Sequence, residues 1–400
     1  MVAVMLPDAP WRLREGLAQL NAALGADNAR YVGGAVRDTL LGLDVTDIDI
    51  ATRHAPEDVV EIVRRAGFKP VPTGIEHGTI TVVLPSGPVE VTTLRRDVST
   101  DGRRATVAFT DDWREDASRR DFTMNALYAD PLTGEVIDYF GGLDDLAARR
   151  VRFIGDPLRR IAEDHLRILR FFRFLARFGD APDTAGLAAC TERARDLMAL
   201  SRERIADELL KLVVARDAVR VLTMMIDRGI LLPVIPEIDA AGVARVEALA
   251  AREAAQGIAA DPIRRLAALL PADPAINEAV GARLKLSNAR RKRLASAIQP
   301  VGSEGARALG YRIGIEGAVD RLLLADGDAR AITDWQPPAL PIGGGALVQR
   351  GVARGPDVAR LLRRVEDRWI AEGFPDAARI DAIADAAVAQ FLESESNRNA

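Results

Sequence analysis

The segment Arg30–Thr52, Arg-Tyr-Val-Gly-Gly-Ala-Val-Arg-Asp-Thr-Leu-Leu-Gly-Leu-Asp-Val-Thr-Asp-Ile-Asp-Ile-Ala-Thr, constrains this chain more than any other. It reads as a strand, a glycine turn, a short helix and a second strand. Side chains alternate along a strand, so Asp47 and Asp49 project from one face, about 6–7 Å apart along the backbone. Ile48 and Ile50 face the other way, into a core. Two carboxylates held side by side repel each other unless a cation lies between them, and a hard divalent ion, Mg²⁺ first, suits such oxygen ligands. Gly33 and Gly34 directly precede the predicted helix, where bare N–H groups and the helix dipole favour a phosphate, and Arg37 and Asp38 follow. A lone Gly-Gly is usually only a turn, and a lone Asp-x-Asp only a solvated strand end. Together in one small unit they suggest nucleotidyl transfer.

Composition narrows the rest. Aromatic residues are only 5% of the 400, while Ala, Leu and Arg abound, so much of the chain is expected to be helical, in two or more domains. The net charge of −4 means that a nucleic acid would have to be gripped by local basic patches. Cys190 is the single cysteine, which excludes an intrachain disulfide and a cysteine zinc site, and three histidines argue against a histidine-rich metal site. No apolar run of about 18 residues predicts a membrane helix, and the N-terminus lacks the pattern of a signal peptide. A cytoplasmic protein is expected.

The strand signals are confined to the first 150 residues. An amphipathic helix is predicted over 11–25, with Leu13, Leu17, Leu20 and Leu24 at helical spacing, and another over 56–66. Strands follow at 68–72, 79–84 and 89–93. Glu90, between Val89 and Val91, reads equally well as a third metal ligand beside Asp47 and Asp49 or as a strand-edge glutamate facing water. Residues 95–118 read as a mobile loop, basic at Arg95, Arg96, Arg103 and Arg104, with a turn at Asp101-Gly102. Next come Arg119 and Arg120, whose planar guanidinium groups match triphosphate oxygens, unless they form only a solvated cluster with Asp121. Asp121 and Asn125, four apart on a helical turn, could bind ribose hydroxyls.

From about residue 151 helix follows helix. A helix over 161–178 carries Asp164, Arg167, Arg170 and Arg173 at three-residue steps. Each step falls about 60° short of a full turn, so neighbours can share a site but all four cannot share one face. Asp164 and Arg167 together can read a base: the carboxylate accepts from an exocyclic amine, and the guanidinium donates to a ring nitrogen or carbonyl. Cytosine and adenine fit this pair; uracil and guanine set a carbonyl against the carboxylate. The plain alternative is a surface salt bridge of small value. Lys285, Arg290, Arg291, Lys292 and Arg293 form the densest basic run, either a contact for an RNA backbone or a solvated helix face. The stretch 336–356 reads as a loop, a last helix falls near 357–371, and residues 391–400 read as disordered.

Taken in order, Gly-Gly-Ala-Val-Arg-Asp, Asp47-Ile-Asp49, Arg-Arg-Asp-Phe-Thr-Met-Asn-Ala, Glu-Asp-His-Leu-Arg-Ile-Leu-Arg and Ser-Arg-Glu-Arg-Ile resemble the bacterial class II tRNA nucleotidyltransferase and poly(A) polymerase family, over roughly residues 28–215. The resemblance implies an α+β fold. A polymerase-β-like nucleotidyltransferase head (1–150, a mixed sheet with flanking helices) would be followed by an all-α neck that reads the base (151–215) and a helical body and tail that hold RNA (216–390). It implies that Gly34 and Arg37 bind the incoming triphosphate, that Asp47, Asp49 and Glu90 carry a catalytic Mg²⁺, and that Arg120 contacts the nucleotide. Asp164, Arg167, Arg170 and Arg173 would form the nucleotide-reading row. The segment Gly67-Phe-Lys-Pro-Val-Pro-Thr-Gly-Ile-Glu-His-Gly-Thr-Ile-Thr-Val resembles the CCA-adding branch, which implies CTP, ATP and the tRNA 3′ end as partners. A poly(A) polymerase using ATP alone, and a non-catalytic RNA-binding protein on the same scaffold, are the alternatives.

Overall fold

A computed structural model describes residues 3–101 and 104–399, excluding the side chains of 97–107 and 396–399. The chain divides into two compact units, residues 1–236 and 237–400. The first opens with a 3₁₀ turn and helix α1 (Leu17–Leu24). Gly16, at φ 86°, breaks the single helix expected over 11–25, so Leu17, Leu20 and Leu24 are buried while Leu13 stands exposed.

The sheet is then assembled: β1 (Ala29–Val32), α2 (Gly34–Leu40), β2 (Asp49–Thr52), α3 (Pro56–Arg65), β3 (Lys69–Gly74), β4 (Thr79–Leu84) and β5 (Gly87–Thr93). A hairpin of β6 (Arg95–Asp101) and β7 (Arg104–Phe109) leads to α4 (Trp113–Ser118), and β8 (Leu127–Ala129) and β9 (Val136–Asp138) close the sheet. The seven main strands lie in the order β3-β4-β5-β2-β1-β8-β9, with β2 and β5 parallel and every other pair antiparallel. The mobile loop expected over 95–118 is therefore a strand pair and a helix. Val98, Thr100, Thr106 and Val107 favour strands on either side of the turn, but the ribbon has few large apolar residues to announce it. Asp112 caps α4, its carboxylate accepting the Arg114 N–H at 2.7 Å. Gly102, Arg103 and the side chain of Arg104 lie outside the described residues.

Helices α5 (Gly142–Ala147), α6 (Pro157–Glu163), α7 (Arg167–Phe178), α8 (Thr184–Glu192), α9 (Arg202–Val213) and α10 (Ala218–Asp227) complete the unit. The helix expected over 161–178 is two helices. Asp164 is extended (φ −151°, ψ 106°), and its Oδ1 accepts the Leu166 N–H at 3.1 Å, the local bond by which Asp competes with helix propagation. Helix α7 buries Ile168, Leu169, Phe171, Phe172, Leu175 and Phe178, and its aromatic face packs on Phe122 and Phe153, so the sheet and the helices share one core. The boundary expected at 215/216 falls inside this unit, because α10 packs on α7.

The second unit is helical: α11 (Ala240–Gln256), α12 (Pro262–Leu269), α13 (Pro274–Arg283), α14 (Asn288–Ala297), α15 (Ala306–Ile313), α16 (Ile315–Leu324), α17 (Arg330–Thr333), α18 (Gly344–Gln349), α19 (Pro356–Ala371) and α20 (Ala377–Asn399). A buried ion cluster staples its first half: Arg264 donates to Asp320 at 2.9 Å and to Glu253 at 2.8 Å. Trp369, Val365, Ile380 and Ala384 centre a core in its second half. The disorder expected over 391–400 is not found among the described residues, for α20 runs to Asn399 and Phe391 still packs on that core. No helix among the described residues is long and apolar enough to cross a membrane.

Candidate active site

The parallel pairing of β2 with β5 sets Asp49 directly opposite Glu90, with the Glu90 N–H bonded to the Ile48 carbonyl at 3.0 Å. Ile48 and Ile50 are buried, as the alternation requires. Burial and the negative charges of Glu90 and Asp47 push the Asp49 carboxyl up to about 6, against the pull of Arg120 and Arg37. Asp47 precedes the strand proper and is exposed, and Thr46 donates to its Oδ2 at 3.2 Å. Among the described residues no three His, Cys, Asp or Glu side chains converge into a finished metal cage. The donor set nevertheless fits a divalent cation. Asp49 and Glu90 share negative charge that Arg120 and Arg37 offset only in part, and Mg²⁺-type ions are ordinarily held by one or two carboxylates with substrate phosphates completing the shell.

The glycine turn lies beside these carboxylates. Gly33 adopts φ 70°, ψ −121°, and starts α2. A Cβ there would stand 3.4 Å from Arg120 Nη1, and one on Gly34 3.7 Å from Arg37 Nη2, so bare backbone and two guanidinium groups surround one spot. Arg37 is buried, which lowers its pKa; its Nε donates to Asp38 Oδ1 at 2.7 Å and its Nη1 to Asn125 Oδ1 at 2.5 Å. It also lies 4.3 Å from the Phe178 ring centre. Arg119 and Arg120 are both braced by Asp116, at 3.0 and 3.2 Å. Burial opposes the charge of Arg120, but Tyr128 and Asp116 outweigh it and raise its pKa.

Asp121 and Asn125 do sit together, Asn125 Nδ2 donating to Asp121 Oδ1 at 2.9 Å. Arg170 occupies the other carboxylate oxygen, its Nη2 at 2.6 Å. Burial works against the Asp121 charge, yet Arg170 and the Asn125 amide hold its pKa below the usual carboxylate range. Asp164 Oδ2 accepts from Arg204 Nη2 at 2.8 Å, and Arg167 Nη1 donates to Glu163 at 2.5 Å and to the Arg160 carbonyl at 2.9 Å.

One cavity of about 580 Å³ joins these groups. Gly33, Gly34, Arg37, Asp49 and Glu90 line one part of it; Arg119, Arg120, Asp121 and Asn125 a second; Asp164, Arg167 and Arg170 a third. Three expected residues are not on its wall. Asp38 sits behind Arg37, Asp47 lies outside the lining, and Arg173 turns to Glu208 at 2.5 Å. Arg173 departs because the three-residue steps wind round α7. Val32, Ile50, Thr79, Thr92, Arg95, Leu166, Phe174 and Arg204 line the cavity without having been expected there. Thr92 shares the face of Glu90 by strand alternation and meets Thr79 across the β4–β5 pair, so both were within reach of a pairing argument. Arg204 lies in the Ser-Arg-Glu-Arg-Ile motif, but only the fold brings it to Asp164. Seven arginines and four carboxylates line the wall, a surplus of positive charge that suits a polyanion despite the net charge of the chain.

In the second unit the basic run does not form one face. Arg293 is committed to Asp261, Glu316 and Asp320, at 2.8, 2.5 and 2.6 Å, and Arg291 is paired with Glu278. Lys285, at φ 53°, Arg290 and Lys292 are exposed.

The head is of the nucleotidyltransferase class: residues 29–152 match the family model of the poly A polymerase head domain, and residues 182–241 that of the probable RNA and SrmB-binding site of polymerase A. The mitochondrial CCA tRNA nucleotidyltransferase 1 of Mus musculus is 34% identical over 384 residues, covering 90% of this chain and 87% of the relative. The CCA-adding enzyme of Levilactobacillus brevis is 42% identical over half of each chain. Among solved structures, the Bacillus stearothermophilus CCA-adding enzyme in complex with CTP matches 92% of this chain and 94% of that one, with a TM-score of 0.72 and 27% identity. The Thermotoga maritima CCA-adding enzyme complexed with tRNA_CCA shares the fold at a TM-score of 0.67, 19% identity and 96% of both chains. The chain belongs to the CCA tRNA nucleotidyltransferase family.

Proposed function

We propose that this protein completes the 3′ end of tRNA by adding CMP twice and then AMP from CTP and ATP, in the CCA-adding rather than the poly(A)-tailing mode. In each step the RNA 3′ oxygen bonds to the α-phosphorus of the bound triphosphate, the hydroxyl proton is lost, the bond to the β-phosphate bridging oxygen breaks, and pyrophosphate leaves. The register of Asp49 against Glu90, in the cavity of about 580 Å³ that also holds Asp164 and Arg167, carries this reading, because a cation at the first pair and a base at the second would share one space.

The Gly33 and Gly34 amides, Arg120 and Arg37 would receive the triphosphate, with Arg119 beside them. Asp121 and Asn125 would receive the ribose hydroxyls. Asp164 and Arg167 would present an acceptor and a donor to the base, with Arg170 as the neighbouring member of the row. Asp38 and Arg173 would support Arg37 and α7 from behind. Asp49 and Glu90, with Asp47 at the rim, would hold Mg²⁺; when bound, such an ion lowers the pKa of the attacking hydroxyl and stabilises charge on the departing pyrophosphate. Residues 1–150 would serve as catalytic head and 151–215 as base-reading neck. The body and tail, 216–390, would hold the tRNA, with Lys285, Arg290 and Lys292 as backbone contacts. Arg293 belongs to the internal ion pairs instead, while Arg291, held by Glu278 alone, keeps donors that could still meet the RNA.

The test is incorporation into tRNAs ending before CCA, after C and after CC, with labelled CTP or ATP and Mg²⁺, read at single-nucleotide resolution. CMP on the first two, a single AMP on the third and no further growth are expected. Long adenylate tracts on all three would establish poly(A) tailing, and no incorporation would leave an RNA-binding protein.

A further inference from the structure

Asp164 can discriminate between bases only if its carboxylate stands still. The Asp χ2 torsion is broad and roughly two-fold, so an unrestrained carboxylate presents its oxygens over a wide arc. The residue lies at the non-helical break between α6 and α7, where no helix packing holds its side chain. Two bonds replace that restraint: the Leu166 N–H on Oδ1 at 3.1 Å, and Arg204 Nη2 on Oδ2 at 2.8 Å. The first comes from the same turn. The second comes from α9, forty residues further on, and it is the contact that ties Asp164 to a different element.

The partner residue is treated in the same way. Arg167 is pinned through Nη1 by Glu163 and the Arg160 carbonyl and through Nη2 by the Arg119 carbonyl at 3.3 Å, so its guanidinium too is held in one orientation. Each reading group thus has an opposite charge fixed beside it. Arg204 itself lines the cavity, 38% exposed at its side chain, so the brace sits within a site the nucleotide enters.

We propose that Arg204 is the positioning residue for base selection: it holds the Asp164 carboxylate in the single orientation that accepts from an exocyclic amine and meets a carbonyl with repulsion. Each Asp164 oxygen spends one lone pair on its brace and keeps another for the base. The inference rests on the reading of Asp164 as a base contact. Loss of the brace does not remove the acceptor; it lets the carboxylate rotate away from a mismatched carbonyl at little cost. The wrong base therefore gains more than the right base loses.

The experiment measures kcat/KM for CTP and UTP on tRNA lacking CCA, and for ATP and GTP on tRNA ending in CC, for wild type, Arg204→Met, Arg204→Lys, Asp164→Ala and the double variant. Arg204→Met is expected to lower the CTP:UTP and ATP:GTP ratios about tenfold, chiefly through faster use of the wrong nucleotide. Arg204→Lys, which keeps a charged donor without the planar fork, should recover part of the ratio. The double variant should select no worse than Asp164→Ala alone, because both changes act through one carboxylate. Equal loss of rate for right and wrong nucleotides in Arg204→Met would overturn the proposal, since a purely structural brace scales both alike. If Asp164→Ala collapses the ratios and neither Arg204 variant moves them, the role of Arg204 fails while base reading stands. If Asp164→Ala itself leaves them unchanged, both fail. Should Arg204→Met not fold, the Lys variant decides: a ratio identical to wild type, with the 2.8 Å contact from Nη2 gone, refutes the proposal.

Discussion

Asp116 organises the arginine edge of the site, and Asp116→Asn tests how much that edge costs to hold. The residue is 1% exposed. Its Oδ2 accepts the Tyr128 hydroxyl at 2.6 Å and Arg120 Nη2 at 3.2 Å, and its Oδ1 accepts Arg119 Nε at 3.0 Å and the Arg95 N–H at 3.2 Å. Burial alone would raise its pKa, but Arg120, Arg119 and the Tyr128 hydroxyl outweigh it and bring it from 3.8 down to about 2. A depressed carboxylate stabilises the fold fully above its unfolded pKa near 4, and that stability is lost as pH falls through about 2. At 1.36 kcal/mol per pKa unit the ionised group contributes about 2.5 kcal/mol at neutral pH and about 0.8 kcal/mol at pH 2.5. Asparagine keeps the shape but removes the charge and turns an amide donor towards one of the two guanidinium groups. Breaking a buried pair costs about 3–5 kcal/mol, and water reaching Arg119 and Arg120 reduces that to about 2–3 kcal/mol. Urea denaturation at pH 7, 4 and 2.5 should therefore give a gap between wild type and variant that narrows about threefold at the lowest pH. KM for CTP and ATP should rise together, because Arg119 and Arg120 lose the same brace. A stability gap of equal size at pH 7 and pH 2.5 would refute the electrostatic account.

Asp49→Asn should reduce incorporation of both CMP and AMP by about a thousandfold or more, with tRNA affinity in a filter-binding assay unchanged; retained transfer would remove Asp49 from the chemistry. Gly33→Ala must adopt φ 70° and place a methyl 3.4 Å from Arg120 Nη1, so a stability loss of about 1 kcal/mol and a higher KM for both triphosphates are expected, with CTP:UTP selection intact. Arg293→Ala strips one of two arginines from fully buried Asp320 and should destabilise the protein by about 3 kcal/mol in thermal or urea unfolding. Arg290→Ala with Lys292→Ala should leave stability alone and make the salt dependence of tRNA binding shallower by up to about 2 in the logarithmic slope; an unchanged slope would take these side chains off the RNA.

The parts of the site legible in the sequence were those whose geometry is set by local periodicity. Strand alternation buries Ile48 and Ile50 and leaves Asp49 at the cavity. The step of the helix says that the row from Asp164 to Arg173 cannot share one face, but not which member turns away; Glu208 on α9 decides that it is Arg173. Glu90 was undecided for a definite reason: alternation gives its face, but only the parallel register of β2 and β5 places it opposite Asp49. The β6–β7 ribbon was missed because its sequence offers no alternating row of large apolar residues, so the pattern that betrays most strands is absent. The break at Asp164 was missed because Asp is tolerated within helices, and the side-chain bond that ends α6 depends on a conformation that composition does not reveal.

The residues of the basic run that the fold draws into ion pairs share a cause. Arg291 and Arg293 carry the charge an RNA contact requires, and by composition they are indistinguishable from Arg290 and Lys292. What separates them is whether an acid comes within reach from another helix: Glu278 on α13 for Arg291, and Asp320 on α16 for Arg293. The same distinction runs through the head, where Asp116 braces Arg119 and Arg120 from behind without taking them off the cavity wall. A guanidinium with several donors can be held by one partner and still present others to a ligand. An arginine surrounded by acids on three sides has nothing left to present. The count and direction of tertiary acids around each arginine, which no spacing rule encodes, therefore decide which cations of this chain can meet a polyanion and which serve only to hold its helices together.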